Sequence, residues 1–261
     1  MFKLSELKRR IHRWAFELHL VRRIHNIARY WASGEIRKQD SFPSPVRAVV
    51  LSPHPDDESI GCGGTIGLIK EAGGSVDVIY MTSGELGRGE EYSHMSKEEF
   101  MGTRMREAAH ACGILGIDRY FFLRGHDGDL KRQPHLAEEV AKLLDKGRYD
   151  VVFCPWPYDS HSDHEATYTL FRKAMTLCVF PVENVWLYEV WSPLHANRIV
   201  NVDPTMDLKF RAMQAYASQL VSNDLPSKVA ALAKYRSIHI PEATHAEAFL
   251  VLDGPDLALL P

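Results

Sequence analysis

From Val46 onward, short β-branched runs alternate with stretches of helical period, and no other feature of the sequence restricts the fold as much. Residues 46–52 (VRAVVLS) read as a buried strand, 64–72 as a helix entered through a glycine-rich turn, and 76–81 (VDVIYM) as a second strand. The same reading gives a long helix over 97–115 that stops near Gly116, a strand over 120–123, a helix over 134–146 and a strand over 150–154 (DVVFC). Residues 164–178 follow as helix and 185–190 as extended chain. Strands separated by helices at this pitch predict an α/β fold: a mostly parallel sheet with helices on both faces. Beyond Pro193 the pattern loosens into a strand over 199–202, helices over 205–220 and 227–238, and a closing strand over 249–252. There is no internal repeat and no low-complexity segment.

The 261 residues are expected to divide into one large domain, 46–261, and an appendage, 1–45. Within the appendage, residues 4–32 read as an amphipathic helix through Leu7, Ile11, Trp14, Phe16, Leu18, Val21, Ile24, Ile27 and Tyr30. Gly34 and the stretch 41–45 then serve as a linker. Residues 1–47 hold 11 Lys and Arg against 4 Asp and Glu, a net of +7, while the remainder carries −10. Packing of this basic helix on the domain or on a second copy in a homo-oligomer is the plainer expectation. The alternative is peripheral contact of residues 4–32 with a membrane, for which Trp14, Phe16 and Trp31 speak. No apolar run reaches the ~20 residues of a membrane span, and the start lacks the features of a secretory signal, so the cytoplasm is the expected location. The 4 cysteines form no C-x-x-C pair, which argues against a disulfide framework or a thiolate zinc knuckle.

Two polar clusters carry the candidate chemistry. His54-Pro55-Asp56-Asp57-Glu58 follows the first strand of the domain, and in an open α/β sheet the binding crevice lies beyond the carboxyl ends of the strands. Three carboxylates within five residues repel one another unless a cation is present, and His nitrogen with Asp oxygen suits zinc or another divalent transition metal. His161-Ser162-Asp163-His164 lies in the loop after the 150–154 strand, at the same end of a parallel sheet. A lone His or Asp in a loop is more often a cap or a solvated group. That bland reading weakens when both clusters follow strands of one sheet.

HPDDE after a strand, a glycine-rich stretch and helix, T-x-G-E (Thr82 to Glu85), R-x-x-E (Arg104 to Glu107) and H-x-D-H together resemble the LmbE/PIG-L family of N-acetylglucosaminyl deacetylases. The likeness runs over about 46–176, with a looser echo in Ala246-Glu247-Ala248-Phe249. It implies a Rossmann-like fold, a mononuclear zinc site held by His54, Asp57 and His164, and hydrolysis of the acetamide of an N-acetylglucosamine-like sugar that is free, conjugated or lipid-linked. By the same resemblance Asp56 is the general base, His161 supports the transition state and Asp163 orients His161. Either Asp56 or His161 protonates the leaving amine. Ser162 stands where the family often has Pro, which loosens the loop and leaves the ligands untouched.

Arg88 and Asp127 are weaker candidates for substrate contact, each balanced by an ordinary loop or turn role; His126, Tyr158 and Trp156 share that ambiguity, and Glu58 reads as a helix-start acceptor. Two rival functions remain. Gly61-Cys62-Gly63-Gly64 suggests a nucleotide-binding Rossmann module, but HPDDE intervenes between strand and glycines and the G-x-G-x-x-G spacing is incomplete. The other rival is a non-catalytic Rossmann-like module recruited to a membrane or partner by its leading helix; Asp56 beside Asp57 serves no purpose there. Nothing in the pattern points to nucleic acid.

Overall fold

The computed structural model describes residues 36–42, 45–180, 182–221 and 224–253, of which 36–252 form one compact unit. The helix expected over 4–32, and the membrane or oligomer contact argued from it, lie outside the described residues. Among the described residues no helix is long and apolar enough to cross a membrane.

The strands are β1 (Arg37–Gln39), β2 (Arg47–Ser52), β3 (Ser75–Thr82), β4 (Arg119–Gly125), β5 (Val151–Pro155), β6 (Asn184–Tyr188), β7 (Arg198–Asn201) and β8 (Ala246–Asp253). They form one sheet in the order β1-β7-β8-β6-β5-β2-β3-β4. The run from β6 to β4 is parallel throughout, with Val50 opposite both Val78 and Phe153. β7 pairs in parallel with β1 and antiparallel with β8. From Ala48 to Ser52 every residue of β2 is buried, as expected of a strand covered on both faces.

The described α-helices are α1 (Asp57–Glu71), α2 (Lys97–Leu115), α3 (Leu136–Gly147), α4 (Ser162–Leu177), α5 (Met206–Gln214), α6 (Ala217–Leu220) and α7 (Leu225–Arg236). α1, α2 and α5 pack together, and α3 packs against α4. Ala48, Val50, Val76, Val78 and Tyr80 share one core with Ile66, Ile69, Ala108, Ala111 and Ala212. Those strand positions alternate with Val49, Leu51 and Ile79, whose buried side chains point to the opposite face. The expected architecture is thus the observed one.

Three local expectations change. The glycine-rich stretch is not a turn but the interior of α1, which starts at Asp57. Its glycines let the helix approach its neighbours: a Cβ on Gly61 would lie 2.3 Å from Tyr188 Cδ2, and one on Gly64 2.6 Å from Val202 Cβ. The single helix expected over 205–220 breaks into α5 and α6 at Tyr216, whose hydroxyl leaves the helical path to donate to Glu58 Oε1 at 2.6 Å. Arg37–Gln39 joins the sheet as an edge strand, three residues being too few to show a period.

α1 is also clamped from the far end of the chain. Glu247 on β8 accepts from the backbone N–H groups of Gly64 and Thr65, both at 2.8 Å, and Lys209 on α5 donates to Ile60 O at 2.7 Å and to Glu247 Oε1 at 2.6 Å. All of this is buried, so each charge depends on the other and on these hydrogen bonds.

Close packing at Gly61 makes Gly61→Ala destabilising by about 1–3 kcal/mol through overpacking against Tyr188. Gly113→Ala in α2, where an added Cβ meets nothing within 4 Å, is expected to raise stability by roughly 0.5–1 kcal/mol through helix propensity. Urea midpoints of the two variants check the contrast.

Candidate active site

Five consecutive parallel strands deliver polar or rim side chains from their carboxyl ends. His54 to Asp57 follow β2, Glu85 and Leu86 follow β3, Asp127 follows β4, Asp159 to His164 follow β5, and Trp191 follows β6. The chain moves outward from β2 through β3 to β4, then returns to the other side of β2 as β5, which makes the β2/β5 boundary the switch point where such sheets bind ligands. There an open cleft of about 310 Å³, at the small end of the ~300–1,000 Å³ usual for small-molecule sites, is lined by His54, Asp56, Asp57, Arg104, Asp127 and His161, with Leu86, Trp191 and Gln219 at its borders.

Asp57, the first residue of α1, ties the two clusters together. Its Oδ2 accepts from the His54 backbone N–H at 2.9 Å and lies 3.2 Å from both His54 Nδ1 and His164 Nε2. Burial alone would push this carboxyl up, but the two imidazoles hold it well below the usual carboxylate range. The His164 ring is fully buried, and neither of its nitrogens has a partner at hydrogen-bonding geometry. Nδ1 stands 3.5 Å from Asp159 Oδ2, and Asp159 is fixed by the N–H groups of His161 and Trp191. Burial depresses the His164 pKa, yet Asp57 and Asp159 outweigh it and raise the value to about 9.

Ring nitrogens of His54, His161 and His164 lie within 4.8 Å of one another, and a second group of donor atoms, from His54, Asp127 and Asp163, meets the same limit. His54 Nε2 is 3.2 Å from Asp127 Oδ1 and 3.3 Å from Asp163 Oδ2. Burial lowers the His54 pKa, but the Asp127, Asp163 and Asp57 carboxylates together raise it well above the usual histidine value. A buried imidazole nitrogen without a partner costs ~1–3 kcal/mol. A nitrogen and carboxylate-oxygen set around it is suited to a borderline divalent cation, so these residues fit one.

Asp56 precedes α1 with φ 124°, a conformation a non-glycine residue adopts only under constraint. Its backbone N–H donates to Glu58 Oε2 at 3.2 Å, and its carboxylate accepts from Arg104 Nη2 at 3.1 Å; the same Nη2 donates to Pro55 O. Burial pushes the Asp56 carboxyl up to about 7, against the opposing pull of Arg104 and with the help of Asp57. Thr82 bonds the turn from the other side through its hydroxyl to Pro53 O at 2.9 Å, while Glu107 accepts from Ser218 N and Oγ at 2.7 and 2.6 Å. The T-x-G-E and R-x-x-E segments therefore brace the first cluster and α6.

The relation expected between Asp163 and His161 takes another form. The Asp163 carboxylate accepts from Gly128 N at 2.7 Å and Leu130 N at 3.2 Å and faces His54. It is the Asp163 backbone N–H that reaches His161 Nδ1, at 3.2 Å, making His161 the N-cap of α4. With Nδ1 accepting, the neutral ring carries its proton on Nε2. Burial, then the His54 and His164 rings, lowers the His161 pKa. Asp127 is in the cleft, its Oδ2 accepting from Leu86 N at 2.7 Å. Arg88 is exposed, donates to Met95 O and does not line the cleft. Arg104, Asp159 and Trp191 belong to the site without having been singled out for it in the sequence. R-x-x-E pointed to Arg104, whereas nothing local distinguished the other two.

A family model described as GlcNAc-PI de-N-acetylase, PIG-L, matches residues 49–175, which hold both clusters. A solved structure of a conserved protein from Thermus thermophilus superposes with a TM-score of 0.70 at 30% identity, covering 78% of this chain and 94% of that one. The chain belongs to the PIG-L family. Among curated relatives, a diacetylchitobiose deacetylase of Thermococcus kodakarensis is 26% identical over 205 residues, 71% of this chain and 74% of that protein. The N,N'-diacetylchitobiose deacetylase of Pyrococcus horikoshii, 24% identical, shares the PIG-L fold with a TM-score of 0.74 over 82% of this chain and 86% of its own.

The elevated His164 pKa has a consequence for metal-free protein. A folded-state value of about 9 against an ordinary 6.5 contributes stability that is complete below 6.5 and is lost as the pH rises through 9. The thermal midpoint of chelator-treated protein is expected to fall between pH 6.5 and 9 in calorimetry, and to fall less in His164→Gln.

Proposed function

We propose that this protein is a zinc-dependent hydrolase that removes the acetyl group from an N-acetylglucosamine-like amino sugar, free, conjugated or lipid-linked. The observation that carries this reading is the meeting of His54, Asp57 and the fully buried His164 next to the strained, part-buried Asp56, which lines the cleft together with His54 and Asp57. Family membership supports it, as do the relatives named for deacetylation.

His54, Asp57 and His164 would hold the cation, Asp57 Oδ2 lying 3.2 Å from a ring nitrogen of each histidine, and the His161 ring packs against both imidazoles. When bound, zinc supplies Lewis acidity toward the acetamide carbonyl and makes water acidic enough to ionise near neutral pH. The remaining work falls to the chain. Asp56, with its carboxyl raised to about 7, accepts a proton from the attacking water. Arg104 keeps that carboxylate aimed and partly ionised. His161, neutral and bearing its proton on Nε2, donates a hydrogen bond to the oxyanion that develops on the acetyl oxygen. The proton taken up by Asp56 then passes to the leaving amine, since a neutral His161 that donates to the oxyanion is the poorer source. Asp163 orients the site through its contacts with His54 and the 128–130 loop and through its own N–H to His161. Asp127 accepts from a sugar hydroxyl at the cleft wall.

Acetate release from a panel of acetylated amino sugars tests the reaction. Activity is expected to rise with pH through about 7, because the working form of Asp56 is the deprotonated one. Asp56→Asn is expected to lose roughly 10²–10⁴-fold in kcat. Arg104→Gln, lacking the cation that favours the ionised carboxyl, should move the rising limb to higher pH. Metal-loaded protein that releases no acetate from any of these sugars would leave the non-catalytic module as the better reading.

The Asp159 contact with His164 yields a separate expectation. Asp159→Asn should weaken zinc binding by about 10–100-fold in a competition titration with a chromogenic chelator, the usual effect of removing a carboxylate behind a liganding imidazole. Unchanged affinity would detach Asp159 from the metal centre.

A further inference from the structure

Asp56 is steered by two groups from different elements. Glu58 Oε2 on α1 accepts its backbone N–H at 3.2 Å, and Arg104 on α2 donates to its carboxylate at 3.1 Å. Neither group is secured by the first cluster alone. Ser59 Oγ at 2.6 Å and Ser52 Oγ at 3.3 Å also reach the Glu58 carboxylate, but with the Asp56 N–H they all belong to the join of β2 and α1, so they do not fix it relative to the rest of the fold. The buried Arg104 is hydrogen-bonded only through Nη2: among the described residues its Nε and Nη1 have no such partner, and Nη1 stands 3.7 Å from Glu107 Oε2.

Both groups meet on Tyr216, at the break between α5 and α6. Its hydroxyl donates to Glu58 Oε1 at 2.6 Å and brings that carboxylate a bond from far along the chain. Its ring lies under the Arg104 guanidinium, whose central carbon is 5.6 Å from the ring centroid, inside the ~6 Å reach of a cation–π contact. With both side chains buried, water does not weaken that attraction. The tyrosine is itself held in place. Tyr80 Oη on β3 stands 3.4 Å from its hydroxyl, and Ser218, two residues on, gives both of its bonds to Glu107, one turn of α2 beyond Arg104. The break in the helix thus lets one residue span from α1 to α2. Tyr216 is 1% exposed and does not line the cleft, so its influence on the reaction passes through Glu58 and Arg104.

We propose that Tyr216 is a positioning residue for the hydrolysis: its hydroxyl and its ring together hold Glu58 and Arg104, and through them aim the Asp56 carboxylate at the attacking water. The proposal deepens the deacetylase reading and rests on it for the role of Asp56 as general base.

The test uses the full metal-loaded chain, with Tyr216→Phe and Tyr216→Leu made alone and Tyr216→Phe made also in the Asp56→Asn background. It measures kcat and KM for acetate release, zinc affinity by chelator competition, and the position of Asp56 in crystal structures. Tyr216→Phe keeps the ring over Arg104 and removes only the hydroxyl. It is expected to lower kcat about tenfold, within the ~10²-fold that a 1 Å misplacement can cost, with KM and zinc affinity unchanged. Tyr216→Leu, which also removes the ring, should lose about tenfold more. In Asp56→Asn, where no carboxylate is left to aim, adding Tyr216→Phe should change the residual rate by less than about twofold. A kcat unaffected by Tyr216→Phe overturns the proposal, and so does an equal loss in both backgrounds, the mark of a merely structural side chain. Tyr216→Leu no slower than Tyr216→Phe overturns the part assigned to the ring. If the wild type releases no acetate from any sugar, the deacetylase reading fails and the crystal structures decide the positioning. An Asp56 that leaves its φ of 124° and its contact with Arg104 in Tyr216→Phe upholds it, and an unmoved Asp56 overturns it as well.

Discussion

One carboxylate oxygen holds the two halves of the site together. Asp57 Oδ2 receives the His54 backbone N–H and faces a ring nitrogen from each cluster, although the clusters are more than a hundred residues apart. Neither β2 nor β5 alone presents a usable donor set; their adjacency in the sheet, read off as Val49 opposite Val152, converts two loops into one centre. Position at the first turn of α1 adds the partial positive charge of the helix N-terminus, which favours the ionised carboxylate. The low pKa of Asp57 and the high pKa of His164 are thus two aspects of one contact.

That contact requires α1 to start in the right place, and its position is set from behind. Gly61 and Gly64 permit an approach to Tyr188 and Val202 that any side chain would block, while Glu247 and Lys209 bond the helix backbone at Ile60, Gly64 and Thr65. The echo of the family motif at Ala246 to Phe249 thereby acquires a physical role: it carries the carboxylate that fixes the helix bearing Asp57. Glu58, one residue further on, joins the turn to Tyr216 and so to the break between α5 and α6. Glu247, Lys209 and Tyr216 thus shape the first cluster from late in the chain without lining the cleft themselves.

Much of this was legible in the sequence. The buried strands announced themselves as short β-branched runs, and the two polar clusters fell after strands that a parallel sheet brings side by side. Less legible were features that depend on tertiary neighbours. Gly61 to Gly64 look like a turn in isolation, because a run of glycines disfavours helix; only the proximity of Tyr188 and Val202 shows that they serve packing. The family resemblance pairs Asp163 with His161, whereas its carboxylate is turned toward the 128–130 loop and His54, and the backbone makes the contact instead. Asp159 and Trp191 gave no local signal, since a loop Asp and a post-strand Trp are ordinary until the β5 and β6 loops are seen bonded to each other.

The arrangement concentrates electrostatic and conformational cost at Asp56. Its positive φ represents strain on the order of 1–3 kcal/mol, and burial of its carboxyl disfavours the charged form that its proposed role as general base requires. Two features counter that cost without cancelling it. Arg104, itself buried, supplies a cation at 3.1 Å, and the Glu58 side chain receives the Asp56 N–H that the distorted turn would otherwise leave unpaired. Had the Arg104 contact been stronger or the carboxyl more exposed, Asp56 would be an ordinary acid, ionised at neutral pH and too weak a base to be useful. Incomplete compensation is what brings its pKa near 7, where a carboxylate can both accept a proton from water and release it again.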